Sequence, residues 1–155
     1  MSRAIVRKYG GPVPTDTVDF ASTASVTVTS ENELFPIDHV FDGRSGPGGS
    51  CWTAASPGEQ TIDLRFRAPI DVASLVLEIE ERERTCEIQL DVALWFDGKP
   101  TPTAAPRRVL AFSPYGPSFH RESWTITEPG VTHVAIRVTP LSAGRVASLT
   151  SIILR

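Results

Sequence analysis

The chain has 155 residues, 41% of them hydrophobic and 21% charged, with a formal net charge of −3 and a pI near 5.6. That is one ordinary globular domain's worth of sequence. Its acidic balance argues against sequence-independent binding to DNA or RNA, which needs a basic surface to displace counterions, and no apolar run approaches the roughly 20 residues that span a bilayer.

The N-terminus, Met1-Ser2-Arg3-Ala4-Ile5-Val6-Arg7-Lys8, carries charges with no apolar stretch behind them. It does not read as a secretory signal, and a cytoplasmic location is favoured. Gly10-Gly11-Pro12-Val13-Pro14 interrupts any regular element. Residues 1–19 are therefore expected to form an arm or edge strand leading into a single domain over 20–155.

From there the signal is alternation. A strand fits 25–29, a short helical turn fits 36–41, and Asp42-Gly43 marks a turn whose glycine can take positive φ. Ile62, Leu64 and Phe66 alternate with Thr61, Asp63 and Arg65. Leu75, Leu77 and Ile79 alternate with Val76, Glu78 and Glu80. The run 78–84 holds four glutamates and two arginines and reads as a solvated hairpin. Ile88, Leu90, Val92, Leu94 and Phe96 alternate with Glu87, Gln89, Asp91, Ala93 and Trp95, which places Trp95 outward. Asp97-Gly98 turns the chain toward a strand at 107–112 and another at 123–127; Pro129-Gly130 turns it again. Val134, Ile136 and Val138 alternate with an outward His133, Ala135 and Arg137, and a last strand fits 147–154. Each set directs every second side chain to a core. About eight such strands, spaced by glycine and proline, predict an all-β antiparallel β-sandwich.

Several short motifs then follow in a familiar order. They are Ala21-Ser22, Phe35-Pro36, Val40-Phe41-Asp42-Gly43, Cys51-Trp52-Thr53-Ala54, Glu59-Gln60-Thr61-Ile62-Asp63-Leu64 and Val134-Ala135-Ile136-Arg137-Val138-Thr139-Pro140. Together they resemble the F5/8 type C (discoidin) family and its galactose-binding-like relatives among carbohydrate-binding modules, over roughly residues 20–155. The resemblance implies a jelly-roll sandwich that binds through loops at one end, with Trp52 as a core plug. It also raises a structural calcium near the Asp-Gly loop, for which Asp42 and Ser50 are the candidate ligands. The glutamate that relatives use in the last strand is missing, since 148–154 has no acidic residue, and Thr61 stands where a second tryptophan is usual. No other cofactor is expected.

No catalytic set emerges. There is no G-x-S-x-G elbow, and Gly46-Pro47-Gly48-Gly49-Ser50 lacks the ending of a phosphate loop. His39, His120 and His133 have no metal-ligand spacing, and His39 reads as a structural hydrogen-bonder. Cys51 and Cys86 belong to no C-x-x-C motif and read as free thiols. A non-catalytic binding module is therefore expected. Sugars need flat apolar faces and planar polar groups, and three loops carry them. Their candidate ligand-binding residues are Asn32, Arg84, Tyr115, His120 and Arg121. The partner is a glycan on this reading. The alternative is a protein, in a scaffold, phage or secretion assembly, with Trp95 in a homo-oligomer interface.

Overall fold

The structure, a computed structural model, describes residues 2–6, 16–43, 45–81 and 85–155. In chain order the elements are β1 (Arg3–Ala4), α1 (Phe20–Thr23), β2 (Ala24–Val28), a 3-10 turn (Ile37–Phe41), β3 (Trp52–Pro57), β4 (Gln60–Ile70), β5 (Ser74–Glu80) and β6 (Cys86–Phe96). They continue with β7 (Thr103–Ala104), β8 (Arg108–Phe112), β9 (Phe119–Thr125), β10 (Val131–Pro140), β11 (Val146–Leu149) and β12 (Ser151–Leu154). No helix among the described residues is long and apolar enough to cross a membrane.

One layer of the sandwich runs β1-β2-β4-β10-β6, with β7 and β8 both on the far edge of β6. The other is built from β3-β11 and β12-β5-β9. Every strand pair is antiparallel. The alternating residues of β4, β6 and β10 enter one core cluster with Leu75, Leu77 and Ile79 of β5 and Trp124 of β9. Trp52 is fully buried as the plug, and its indole N–H donates to Ser30 O at 3.0 Å. That bond removes the cost of burying the ring's one polar atom. Gly43, Gly98 and Gly130 stand at φ of 76°, 76° and 79°, so the three expected turns use glycine's left-handed freedom.

Twelve strands replace the expected eight among the described residues. β1, β3 and β7 carry too few alternating positions to be read from sequence. The predicted 147–154 strand divides at Thr150, whose N–H donates to Glu78 O at 2.8 Å. β11 pairs with β3 before that break and β12 pairs with β5 after it. The predicted strand at 123–127 begins earlier, at Phe119, and so takes His120 and Arg121 out of a loop.

β5 departs furthest from expectation. Instead of alternating, it is buried on both faces from Leu75 to Ile79, Glu78 included. β12 and β9 flank it at its two edges, and the glycine-rich loop lies over its second face, where the Gly46 N–H reaches Glu78. At the N-terminus, β1 adds an edge strand to β2, and Ile5 reaches the core.

Both cysteines are free. Burial pushes the Cys86 thiol up from its ordinary range, against the opposing pull of Arg145. A thiol reagent is expected to modify only the partly exposed Cys51 in the native state and both cysteines in denaturant. Trp52→Ala is expected to cost about 3–5 kcal/mol in urea unfolding; a loss under about 1 kcal/mol would contradict its place in the core.

Candidate functional site

Glu78 and Arg121 face each other in register on β5 and β9. Glu78 is fully buried. Its Oε1 accepts from Arg121 Nη1 at 3.0 Å and its Oε2 from the backbone N–H of Gly46 at 2.7 Å. Next along the strand, Glu80 Oε2 accepts from Gly48 N–H at 2.7 Å, and Glu81 pairs with Arg145 at 2.9 Å. In the described part of the expected solvated charge run, Glu78, Glu80 and Glu81 are therefore structural carboxylates, and the glycine-rich loop folds over β5 to present its N–H groups to the first two. Glycines leave that backbone unobstructed. Arg121 is held by this pair. Arg84 lies outside the described residues.

His120 is likewise engaged. Its Nε2 bonds Ala111 O at 2.7 Å, and its ring meets Phe112 edge-on at 4.8 Å, fastening β9 to β8. Asn32 Oδ1 accepts from Leu34 N–H, and its own N–H donates to Thr53 O on β3. This holds Asn32 at the β3 margin of the second layer, whereas Arg121 lies on β9 at the other margin. The structure does not bring Asn32 together with the β9 residues. Tyr115 is different. It tips a compact loop closed by Ser113 N–H to Pro117 O at 3.0 Å, and its side chain is 100% exposed.

Asp42 and Ser50 do come together. Ser50 Oγ donates to Asp42 Oδ2 at 2.7 Å, and Asp42 is buried. One carboxylate and one hydroxyl, bonded to each other, stand where calcium would take about six to eight oxygens. Among the described residues no group of three acidic, histidine or cysteine side chains could hold a metal. These two side chains alone do not complete such a shell.

The outer face of the first layer carries a second assembly that the strand pattern places but does not connect. Three residues lie side by side in each row across β4, β10 and β6. Arg65, His133 and Trp95 form one row; Asp63, Ala135 and Ala93 the next; Thr61, Arg137 and Asp91 the third. Ala104 of β7 extends the middle row. Outward His133 is nonetheless buried, because Trp95 stacks on it at 4.2 Å and 21° while its Nε2 donates diagonally to Asp63 Oδ1 at 2.8 Å. An open cavity of about 430 Å³ is lined by Arg65, Phe66, Trp95, Thr132 and His133. A neighbouring one of about 250 Å³ lies over Ala93, Ala135 and Ala104. At its far side Asp91 accepts from Arg107 at 2.7 Å and from Gln89 at 3.0 Å. Burial opposes ionisation of Asp91, but these bonds prevail and hold its carboxyl below the usual range.

The fold is that of carbohydrate-binding modules of the F5/8 type C kind. A family 32 carbohydrate-binding module from Clostridium perfringens NanJ, solved with galactose, matches with TM-score 0.61 at 12% identity, over 90% of this chain and 97% of that one. An F5/8 type C domain from Bacteroides fragilis matches at TM-score 0.55 and 15% identity, over 91% and 97%. A chitosan-binding module of a Paenibacillus chitosanase/glucanase matches at 0.56 and 16%, over 84% and 92%. No family model and no curated protein sequence matches the chain.

Arg121→Ala leaves a buried carboxylate short of its charged partner and is expected to destabilise by about 2 kcal/mol or more. Arg137→Ala breaks the exposed 3.4 Å pair with Glu59 and removes a minor charge effect on Asp91, and should cost under about 1 kcal/mol. Equal losses in denaturant unfolding would refute the structural role of Glu78. The depressed carboxyl of Asp91 stabilises the fold fully above the ordinary carboxylate value of about 3.9, and that share is lost as pH falls through its lower folded value. The stability gap between wild type and Asp91→Asn should therefore close on acidification; a gap that widens would contradict it.

Proposed function

We propose that this domain is a non-catalytic glycan-binding module. The observation that carries the reading is a fold shared along nearly the whole length of single binding modules, among them one solved in complex with galactose and one described as chitosan-binding. The chain is thus the counterpart of a binding unit. Within it, Tyr115 is the residue best suited to meet a sugar at the end of the sandwich. An aromatic ring left wholly in water has an apolar face available to sugar C–H groups, and its hydroxyl can bond theirs. The sheets fix the base of its loop through His120 and Phe112.

Binding of galactose-type and other common glycans, measured by array and calorimetry, is expected at or below about 1 mM. Tyr115→Ala should weaken it at least about tenfold with no change in melting temperature. A wild-type protein that binds no glycan at that concentration overturns the reading. We infer also that calcium is not required, because Glu78 and Glu80 already secure the loop that a cation would otherwise order. Melting temperatures in excess calcium and in chelator should then coincide, whereas a ligand of the folded state would raise the first.

A further inference from the structure

The three tryptophans differ in one respect. Trp52 and Trp124 donate their indole N–H groups to Ser30 O and Pro106 O, at 3.0 and 2.7 Å. Trp95 Nε1 has no hydrogen-bond partner among the described residues, and it is not a buried atom. It is therefore a donor open to solvent. In the same row stands Arg65, exposed, whose guanidinium likewise makes no hydrogen bond or ion pair among the described residues. The other charges of this face are occupied: Asp63 by His133, Asp91 by Arg107, Arg137 by Glu59. The groups left over on the residues that line the cavity of about 430 Å³ are thus an indole N–H and a five-donor cation, beside an aromatic stack anchored from the next row by Asp63.

Such a site selects for acceptors. A guanidinium fork matches a carboxylate in two parallel bonds, and the indole supplies a flat apolar wall. The middle row, floored by Ala93 and Ala135, keeps the adjoining cavity low and open. Rows two residues apart along a strand are about 7 Å apart, so a ligand of more than one ring can run from Trp95 toward Arg137. Resting on the glycan-binding reading above, we propose that this face is a second binding site, specific for acidic saccharides of the uronic acid class. The carboxylate meets Arg65 and a sugar ring lies against Trp95.

The test is a nuclear magnetic resonance titration of the whole chain with a galacturonic acid trimer, and separately with a neutral galactose trimer. The indole N–H resonance of Trp95 should move with the acidic trimer while those of Trp52 and Trp124 stay. Arg65→Ala, a change on an exposed side chain, should weaken that binding about tenfold, added salt should weaken it in wild type, and Tyr115→Ala should leave it unchanged. Unchanged affinity in Arg65→Ala overturns the proposal, as does movement of the other two indoles alone. A wild-type dimer by light scattering that Trp95→Ala returns to monomer overturns it too, since a second copy would then cover the face. If neutral glycans bind through Tyr115 and the acidic trimer does not, this proposal falls and the glycan-binding reading stands. If neither class binds, both fall.

Discussion

The carboxylate of Glu78 is the constraint on which much of the second layer depends. A buried carboxylate is costly unless its oxygens are bonded and its charge is opposed. Here one oxygen takes Arg121 from β9 and the other takes the Gly46 amide. The backbone carbonyl of the same residue takes Thr150, where the last strand breaks. One residue of β5 thereby fixes a neighbouring strand, the glycine-rich loop and the point at which the chain transfers from β3 to β5. Glu80 repeats the arrangement one step along with Gly48.

This explains why residue types that suit a binding loop can do something else. Arginine, histidine and asparagine were attractive because they bond sugar hydroxyls. The same capacity is taken up by partners within the chain: Arg121 serves the buried Glu78, His120 serves Ala111 O, and Asn32 closes a turn onto Leu34. Tyr115 alone of the described candidates has its side chain wholly in solvent. The end loop and the outer sheet face therefore offer different chemistry. One presents a lone aromatic ring, the other an aromatic stack with unspent donors.

That outer face is made by register. Asp63, Trp95 and His133 are far apart in the chain, and strand pairing sets Trp95 beside His133 with Asp63 one row away. Slipping β10 by one residue would turn His133 toward the core and Val134 toward water, so the hydrophobic pattern that builds the core also aligns the polar rows behind it.

The sequence by itself determined the sandwich, its long alternating strands β4, β6 and β10, the Asp-Gly turns and the burial of Trp52. These follow from local periodicity and from backbone freedom at glycine, which neighbours along the chain suffice to reveal. It also placed Trp95 and His133 on an outward face. Only the tertiary structure decided that β5 is covered on both sides, that Glu78 is buried and that Arg121 is its partner. Only the structure decided, too, that Trp95 lies on His133. The physical reason is the same in each case. A period of two says which way a side chain points, but what waits there is supplied by strands and loops tens of residues away.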